Sequence, residues 1–230
     1  MSCVLFGDIV EPSTRALIDE DLEEYPEYVE ITPKWEGNYE TPHEINSLIV
    51  IESRIVRDLL NDCILNNQKP ICTLINGAID IYSFKEKQYF VVYYEGKELN
   101  ACQVVEAIEH WILNAKIIYT IKSDSIYNYQ NPFLLEKPSY VIKSISNGES
   151  NLSYTKLEQP NLVTGLGAAV LSYCIHQQIP KCTLIIIYLH QSQLDSFNSW
   201  PILDVFKKMG LSIQHCTIKD RVVNMNNLYM

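Results

Sequence analysis

Apolar residues occur along the chain both as short continuous runs and as helical repeats. Continuous runs in INSLIVIES, QYFVVYYE, KIIYTIK and KCTLIIIYL predict buried strands. PICTLING and AIDIYSF surround Asn76-Gly77, which predicts a hairpin. CVLFGDIV, SYVIKSIS and LSIQHCTI predict three further strands. Strands are therefore expected from the first residues of the chain to its last quarter.

Apolar positions at helical spacing predict helices between these strands. RIVRDLLNDCIL is expected to start behind Ser53 as its N-cap, and FNSWPILDVFKKMG to end at Gly210. VTGLGAAVLSYCIHQQ predicts a third helix. Residues 98–114 predict a single amphipathic helix whose apolar face comprises Ala101, Val104, Val105, Ile108, Trp111 and Ile112.

The alternation of helices with strands that are apolar on both faces predicts an α/β fold. We expect a single-domain sandwich with a central, mainly parallel or mixed sheet covered by helices. Residues 1–18 are interpreted as an N-terminal strand segment of this domain and residues 45–218 as its body. Residues 219–230 are predicted to form a flexible C-terminal tail.

The net charge of -10 is concentrated at one end of the chain. Residues 1–44 contain twelve acidic and two basic side chains, whereas the remaining residues contain sixteen of each. Residues 19–44 are also poor in aliphatic side chains, and we expect a flexible acidic leader or loop there. The neutral body lacks a basic face large enough to bind phosphates, which argues against nucleic-acid binding.

Cysteine usage and the lengths of the apolar runs favour a cytoplasmic protein. The seven cysteines form an odd set, and no run resembles a signal peptide or is long enough to span a membrane. We therefore expect free thiols in a reducing compartment, with the nucleus and the surface of the endoplasmic reticulum as further possible locations.

No stretch of the sequence predicts an active site. Gly165-Leu166-Gly167 lacks the third glycine of a dinucleotide-binding motif, and tight helix packing is the better interpretation. Cys174 and His176 lie two positions apart on one helix and point in different directions. A cysteine nucleophile paired with His110, His190 or His215 stays open but is not indicated. We expect no metal, no cofactor and no catalytic residues.

A resemblance to a known family appears in LEQPNLVTGLGAAVLSYCIHQQIP, residues 157–180. Leu157-Glu158-Gln159-Pro160-Asn161, Ala168 to Cys174 and Ile179-Pro180 resemble the signature region of the proteasome assembly chaperone 1 family. The opening FGDIV with Arg15-Ala16 and the acidic leader are also similar to that family.

This resemblance implies a non-enzymatic chaperone of the proteasome core particle. Family members form a heterodimer with proteasome assembly chaperone 2, hold α subunits while the α ring forms, and prevent off-pathway association of rings. The family ends in a hydrophobic-Tyr-X motif (HbYX motif) that enters pockets between α subunits. Leu228, Tyr229 and Met230 stand in that place.

Three alternatives remain open at the level of the sequence. The tail could pack on its own domain instead of binding another protein. The chain could act as a regulator or activator that binds mature proteasomes through the same tail. It could also be an enzyme, because such sandwiches resemble nucleoside-phosphorylase-like folds, and a cleft containing a perturbed cysteine or histidine would favour that function.

Overall fold

The computed structural model describes residues 34–37, 42–66, 68–74, 78–84, 87–94, 99–131, 138–148, 152–190 and 196–213. The chain divides into two compact units, Met1–Thr32 and Pro33–Met230, and every described residue belongs to the second. The predicted N-terminal strand segment (1–18), most of the acidic leader, the Asn76-Gly77 turn and the tail (219–230) lie outside the described residues.

The described part contains one sheet of eight strands in the order β1-β3-β4-β5-β2-β6-β8-β7. The strands comprise β1 (Trp35–Gly37), β2 (Ser47–Ile51), β3 (Cys72–Leu74), β4 (Ile79–Phe84), β5 (Gln88–Tyr93), β6 (Ile118–Ser125), β7 (Tyr140–Asn147) and β8 (Cys182–Leu189).

The four central strands are parallel, and the outer strands are antiparallel to their neighbours. β5, β2, β6 and β8 pair in parallel. β1, β3 and β4 add an antiparallel extension on one side, and β7 adds one antiparallel strand on the other. The predicted α/β fold with a mixed central sheet is therefore confirmed.

Five α-helices are present in the described part, and two short irregular helical turns accompany them. α1 (Arg54–Leu60) continues into a π-helical turn (Asn61–Leu65), and a 3-10 turn (Ile126–Asn128) follows β6. The other helices comprise α2 (Ala101–Ala107), α3 (Glu109–Leu113), α4 (Leu166–His176) and α5 (Ser196–Lys208). None of these helices is long and apolar enough to cross a membrane.

The central strands are buried on both faces, as their continuous apolar runs predicted. Every residue of β2 and β8 is buried. Alternate side chains, such as Ile49 and Ile185, join α1 and α5 in one apolar cluster. The side chains between them point to the opposite face, where α4 packs on β6, β7 and β8.

Residues 98–114 form two helices instead of the single predicted helix. Asn100 caps α2 with a capping box to Gln103, and Ile108 leaves the helical conformation at φ -104° and ψ 9°. The predicted apolar face is still buried despite this break, because Val104, Ile108 and Trp111 are all fully buried.

The end of α5 agrees with the prediction, whereas the strand expected behind it does not begin where the sequence indicated. Gly210 has φ +76°, and the amide of Leu211 donates to the Phe206 carbonyl at 3.0 Å, so the chain turns there as a C-cap does. The described residues 211–213 are not in a strand. Leu211 is instead buried under the helix end.

One short strand lies within the acidic leader, residues 19–44, most of which is outside the described residues. Trp35–Gly37 form β1 and pair with β3 at one edge of the sheet. Composition did not reveal this strand, because three residues are too few for an apolar pattern and its partner is distant in the sequence.

Glu44 joins the end of the leader to the sheet through two lysines. Its carboxylate pairs with Lys87, which precedes β5, and with Lys116, which precedes β6. β2 lies between those strands, so the Glu44 carboxylate lies between the positive charges of the two lysines. Hydrogen bonds from Lys116 and Lys87, with their positive charges, lower the pKa of Glu44 to about 2.

We expect this pairing to stabilise the fold above pH 4.5, the ordinary pKa of the group, and to be lost as the pH falls toward 2. The sign follows because the folded state binds this proton less tightly than the unfolded state does. Glu44→Gln cannot titrate, so the difference between the unfolding midpoints of the wild type and the variant should be constant above pH 4.5 and shrink below it. A difference that is independent of pH would contradict a charged pairing.

Candidate functional site

The site predicted by the sequence lies beyond the last described residue. Leu228, Tyr229 and Met230 are outside the described residues, whose last member is Ile213. The described part therefore leaves the geometry of the tail as a prediction. The described part does include the carboxyl edge of the parallel strands, where ligand sites of open α/β sheets are usually found.

A buried carboxylate occupies this edge. Glu52 directly follows β2, is 7% exposed, and accepts a hydrogen bond from the amide of Gly167 at 3.0 Å. The ammonium of Lys122 on β6 lies 3.6 Å from the same carboxylate and donates to the Thr164 carbonyl at 2.6 Å. Glu52 thus supplies the negative charge that the N-terminus of α4 favours.

The two glycines of the Gly165-Leu166-Gly167 segment are required by this arrangement. A Cβ atom on Gly165 would lie 2.0 Å from Oε1 of Glu52, and the φ of Gly165 is +94°. A Cβ atom on Gly167 would lie 2.8 Å from Cδ1 of Leu184. The interpretation as tight helix packing is confirmed, because a side chain on either glycine would collide with Glu52 or Leu184.

Sequence reasoning missed Glu52 and Lys122 as members of this cluster. A signal was present, since an acidic residue directly follows a fully apolar strand and a glycine-flanked helix start comes much later in the chain. Only the sheet order could bring the two segments together. The predicted cap is also revised: Ser53 stands at the N-cap position of α1, but its hydroxyl accepts from the Ser123 amide at 2.6 Å and makes no capping bond.

The LEQPN loop, residues 157–161, is attached to the body by its polar side chains. Asn161 accepts from the Gln130 amide at 2.8 Å and donates to the Gln130 carbonyl at 2.8 Å. Glu158 accepts from the Tyr129 hydroxyl and pairs with Lys143 at 2.9 Å. Burial raises the pKa of Glu158, but the hydrogen bonds from Tyr129 and Lys143 outweigh it and hold the pKa below its usual value.

These bonds assign Glu158 and Asn161 a structural role. They hold the loop against the segment that follows β6, and Leu162, directly behind the loop, is 89% exposed. The polar residues Glu158 and Asn161, in the segment that carries the family resemblance, therefore maintain the conformation of the loop. The apolar side chain of Leu162 next to them is exposed.

The described cysteines and histidines do not form a catalytic pair. Cys174 is buried and His176 is exposed, as their spacing predicted. A hydrogen bond with Cys174, together with burial, raises the pKa of Cys182, and burial together with the charge of Asp80 raises that of Cys72 to about 11. Cys72 and Cys182 are therefore weak nucleophiles at neutral pH, whereas the hydrogen bond with Cys182 lowers the pKa of the buried Cys174. Among the described residues, no group of three or more His, Cys, Asp or Glu side chains is placed to hold a metal ion.

The expectation of free thiols holds for only some of the described cysteines. Cys72, Cys102, Cys174 and Cys182 are free. Cys63, in the π-helical turn behind α1, is disulfide-bonded, so the expectation is wrong for this residue. The number and spacing of the cysteines could not reveal that bond.

Solved structures with similar folds share very little sequence with this chain. A protein of unknown function from Corynebacterium glutamicum has a TM-score of 0.52 and 8% identity, over 78% of this chain and 82% of that chain. PbaB, a proteasome activator from the archaeon Pyrococcus furiosus, has a TM-score of 0.50 and 10% identity, over 79% of this chain and 91% of its own. These two matches support the mixed α/β architecture.

A weaker similarity links the chain to an enzyme. The 5'-methylthioadenosine nucleosidase of Arabidopsis thaliana has a TM-score of 0.40 and 9% identity, over 73% of this chain and 96% of that chain. At this level the similarity supports no conclusion about activity. No protein with a curated description matches the sequence significantly.

A family model does match the sequence. The PAC1 model, described as proteasome assembly chaperone 4, covers residues 55–226, which is about three quarters of the chain. The matched range begins in α1 and includes the Gly165-Gly167 helix start, the LEQPN loop and all later described elements. The chain therefore belongs to the family of proteasome assembly chaperones that this model represents.

Proposed function

We propose that this protein is the proteasome assembly chaperone 1 of its source, acting on the α ring of the proteasome core particle. The observation that carries the proposal is the family match over residues 55–226. The finer assignment to chaperone 1 is supported by Leu157 to Asn161 and by Ala168 to Cys174, which resemble that member's signature region. In this role the protein holds α subunits while the ring forms and prevents off-pathway association of rings in the cytoplasm, and also in the nucleus or at the surface of the endoplasmic reticulum.

We propose that the tail docks in a pocket between two α subunits. Leu228 supplies apolar surface, and the ring of Tyr229 adds area together with a hydroxyl that can reach a backbone partner. The carboxylate of Met230 would pair with a lysine of the pocket. Residues 214–230 could reach about 55 Å beyond Ile213 if extended, which is far enough for the last three residues to leave the body.

We propose that the working unit is a heterodimer with proteasome assembly chaperone 2. Several large apolar side chains of the described part support this, because each is about half exposed or more: Leu113, Tyr127, Leu162, Ile175 and Trp200. Exposed aromatic and aliphatic residues of this size are typical of protein interfaces.

A non-enzymatic role fits the carboxyl edge of the sheet. Glu52 accepts a hydrogen bond from the Gly167 amide at the start of α4, where a ligand anion could otherwise bind. The pKa values of the Cys72 and Cys182 thiols are raised, whereas the hydrogen bond with Cys182 lowers that of Cys174. A nucleoside-phosphorylase-like activity has no support from these groups. A regulator of mature proteasomes is the second candidate, and it differs from the chaperone in the particle that it binds.

Co-purification would separate the two candidates. The tagged full-length chain should bring down a stoichiometric proteasome assembly chaperone 2 and α subunits without a full set of mature β subunits. The control is the addition of purified mature proteasomes to the tagged chain, because mature particles contain no assembly intermediates. Recovery of mature particles alone would support the regulator, and recovery of neither would overturn both proposals.

A further inference from the structure

Short segments of the chain cover both ends of the described sheet. At one end, β1 pairs antiparallel with β3 along all three of its residues. At the other end, the amide of Ser144 on β7 donates to the Thr155 carbonyl, and the Leu157 amide donates to the Ser144 carbonyl, each at 3.0 Å. Because an uncovered edge strand can pair with a strand of another molecule, such covers oppose association.

The two covers differ in how firmly they are attached. The segment beside β7 continues into the LEQPN loop, where Glu158 pairs with Lys143 of β7 at 2.9 Å. β1 has three residues, of which Trp35 is partly buried while Glu36 and Gly37 are exposed. A segment with so few buried contacts opens at low cost. We therefore expect β1 to detach more readily than the cover of β7.

β1 fits against β3 only because position 37 is a glycine. The φ of Gly37 is +98°, and a Cβ atom there would lie 2.4 Å from the Ile71 carbonyl oxygen. Ile71 is itself held in place, because its amide donates to the Ile81 carbonyl at 2.8 Å. A side chain at position 37 would therefore displace β1 and leave the rest of the sheet paired.

The sequence around β1 has the features that protect sheet edges. Pro33 and Pro42 lie on either side of β1 in the chain, and a proline has no amide hydrogen to donate to a further strand. Residues 1–44, which include β1, contain twelve acidic and two basic side chains, a net charge of -10. Two copies that approach through this edge bring two acidic segments together, and their repulsion opposes pairing.

The strand beneath β1 is suited to pairing with a second copy of itself. Without β1, β3 would be the last strand of the sheet. An antiparallel edge can pair with the same edge of another copy about a twofold axis, because its donors and acceptors are then self-complementary. β3 also has apolar residues at both ends, Cys72 and Leu74, and both are buried with β1 in place.

We infer that β1 is a guard strand, which keeps the edge of β3 from pairing with a second copy of this chain. The acidic leader thereby has a role that its composition alone did not reveal. It holds a short strand and a high negative charge at an edge that would otherwise associate. The inference concerns the chain by itself, so its test is independent of binding to α subunits.

Gly37→Ala tests the inference, and Gly148→Ala is the matched control. Both glycines have a positive φ, +98° and +91°, so alanine brings a comparable backbone strain at each position. Of the two, only Gly37 would collide with its surroundings, because a Cβ atom on Gly148 meets nothing within 4 Å. In sedimentation equilibrium of the full-length chain, Gly37→Ala should dimerise at least roughly tenfold more tightly than Gly148→Ala, as expected if β1 contributes one or two hydrogen bonds.

Hydrogen exchange locates the association. In Gly37→Ala the amides of β1 should exchange faster than in the wild type. The amides of β3 should be protected at concentrations where the dimer forms, and should lose that protection on dilution. Higher salt should tighten the dimer, because it screens the repulsion between the two acidic leaders. Trp35→Ser loosens β1 without a collision and should change the dimerisation in the same direction by a smaller amount.

Three results would overturn the inference. The first is dimerisation of Gly37→Ala that is no tighter than that of Gly148→Ala. The second is a dimer in which the amides of β3 exchange freely, and the third is a wild-type chain that dimerises as tightly as Gly37→Ala. If Gly37→Ala does not fold, Trp35→Ser is compared with the wild type instead, and equal dimerisation of those two chains would have the same consequence.

Discussion

Removal of Leu228-Tyr229-Met230 should weaken binding to proteasome α subunits by at least thirtyfold while the fold and the pairing with proteasome assembly chaperone 2 persist. The reason is that an interface usually depends on a few buried anchors, and truncation of an aromatic anchor costs about 2 kcal/mol or more. The measurement is an equilibrium titration of the α subunits with the intact and the truncated chain, each purified with its partner.

Variants of the individual tail residues separate the contributions within the tail. Tyr229→Ala should reproduce most of the loss, and Tyr229→Phe should retain the part that comes from ring burial. One residue added behind Met230 should also weaken binding, since it moves the carboxylate out of reach of a pocket lysine. Met230→Leu is the matched control, because it keeps the terminal carboxylate and should bind like the wild type. Equal binding by the intact and truncated chains would show that the tail does not anchor the complex.

Glu52→Ala should be among the most destabilising single substitutions in the described part of the protein, by about 2–4 kcal/mol. The change leaves the buried Gly167 amide without its acceptor, and it leaves Lys122, whose side chain is only 17% exposed, without its counter-charge. Chemical denaturation followed by circular dichroism measures the loss. Glu52→Gln should cost about half as much, because the amide oxygen still accepts from Gly167.

Two controls decide whether the loss comes from the buried pair. Glu106→Ala removes an exposed carboxylate from α2 and should change the stability by less than about 0.5 kcal/mol. The double variant Glu52→Ala with Lys122→Met should recover part of the loss, because it also removes the uncompensated ammonium. If Glu52→Ala unfolds at the same denaturant concentration as Glu106→Ala, the carboxylate does not hold α4 in place.

The carboxylate of Glu52 also affects how a glycine-flanked helix start should be interpreted in an α/β fold. In an open α/β sheet, the N-terminus of a helix behind a parallel strand is a common place for phosphate. Here Gly165 and Gly167 permit an internal carboxylate to approach that helix start instead. A glycine-flanked helix start alone therefore cannot distinguish a ligand site from a self-filled one.

Local patterns in the sequence were sufficient to predict most strands and helices of the described part. Continuous apolar runs identified β2 and β8, because strands that are buried on both faces leave no polar positions. Gly210 identified the end of α5, because a helix end in the left-handed conformation strongly favours glycine. The mixed α/β fold followed from the alternation of these elements.

The sequence by itself also determined the family, through the segment from Leu157 to Pro180, and it supplied the prediction for Leu228, Tyr229 and Met230. Only the tertiary structure decided that Glu52 meets Gly167, that Glu44 lies between Lys87 and Lys116, and that β1 pairs with β3. Each of these contacts joins residues far apart in the chain, and their meeting depends on the order of the strands in the sheet. Periodicity and composition report on neighbours along the chain, whereas charge pairing across a sheet depends on which strands become adjacent when the core is packed.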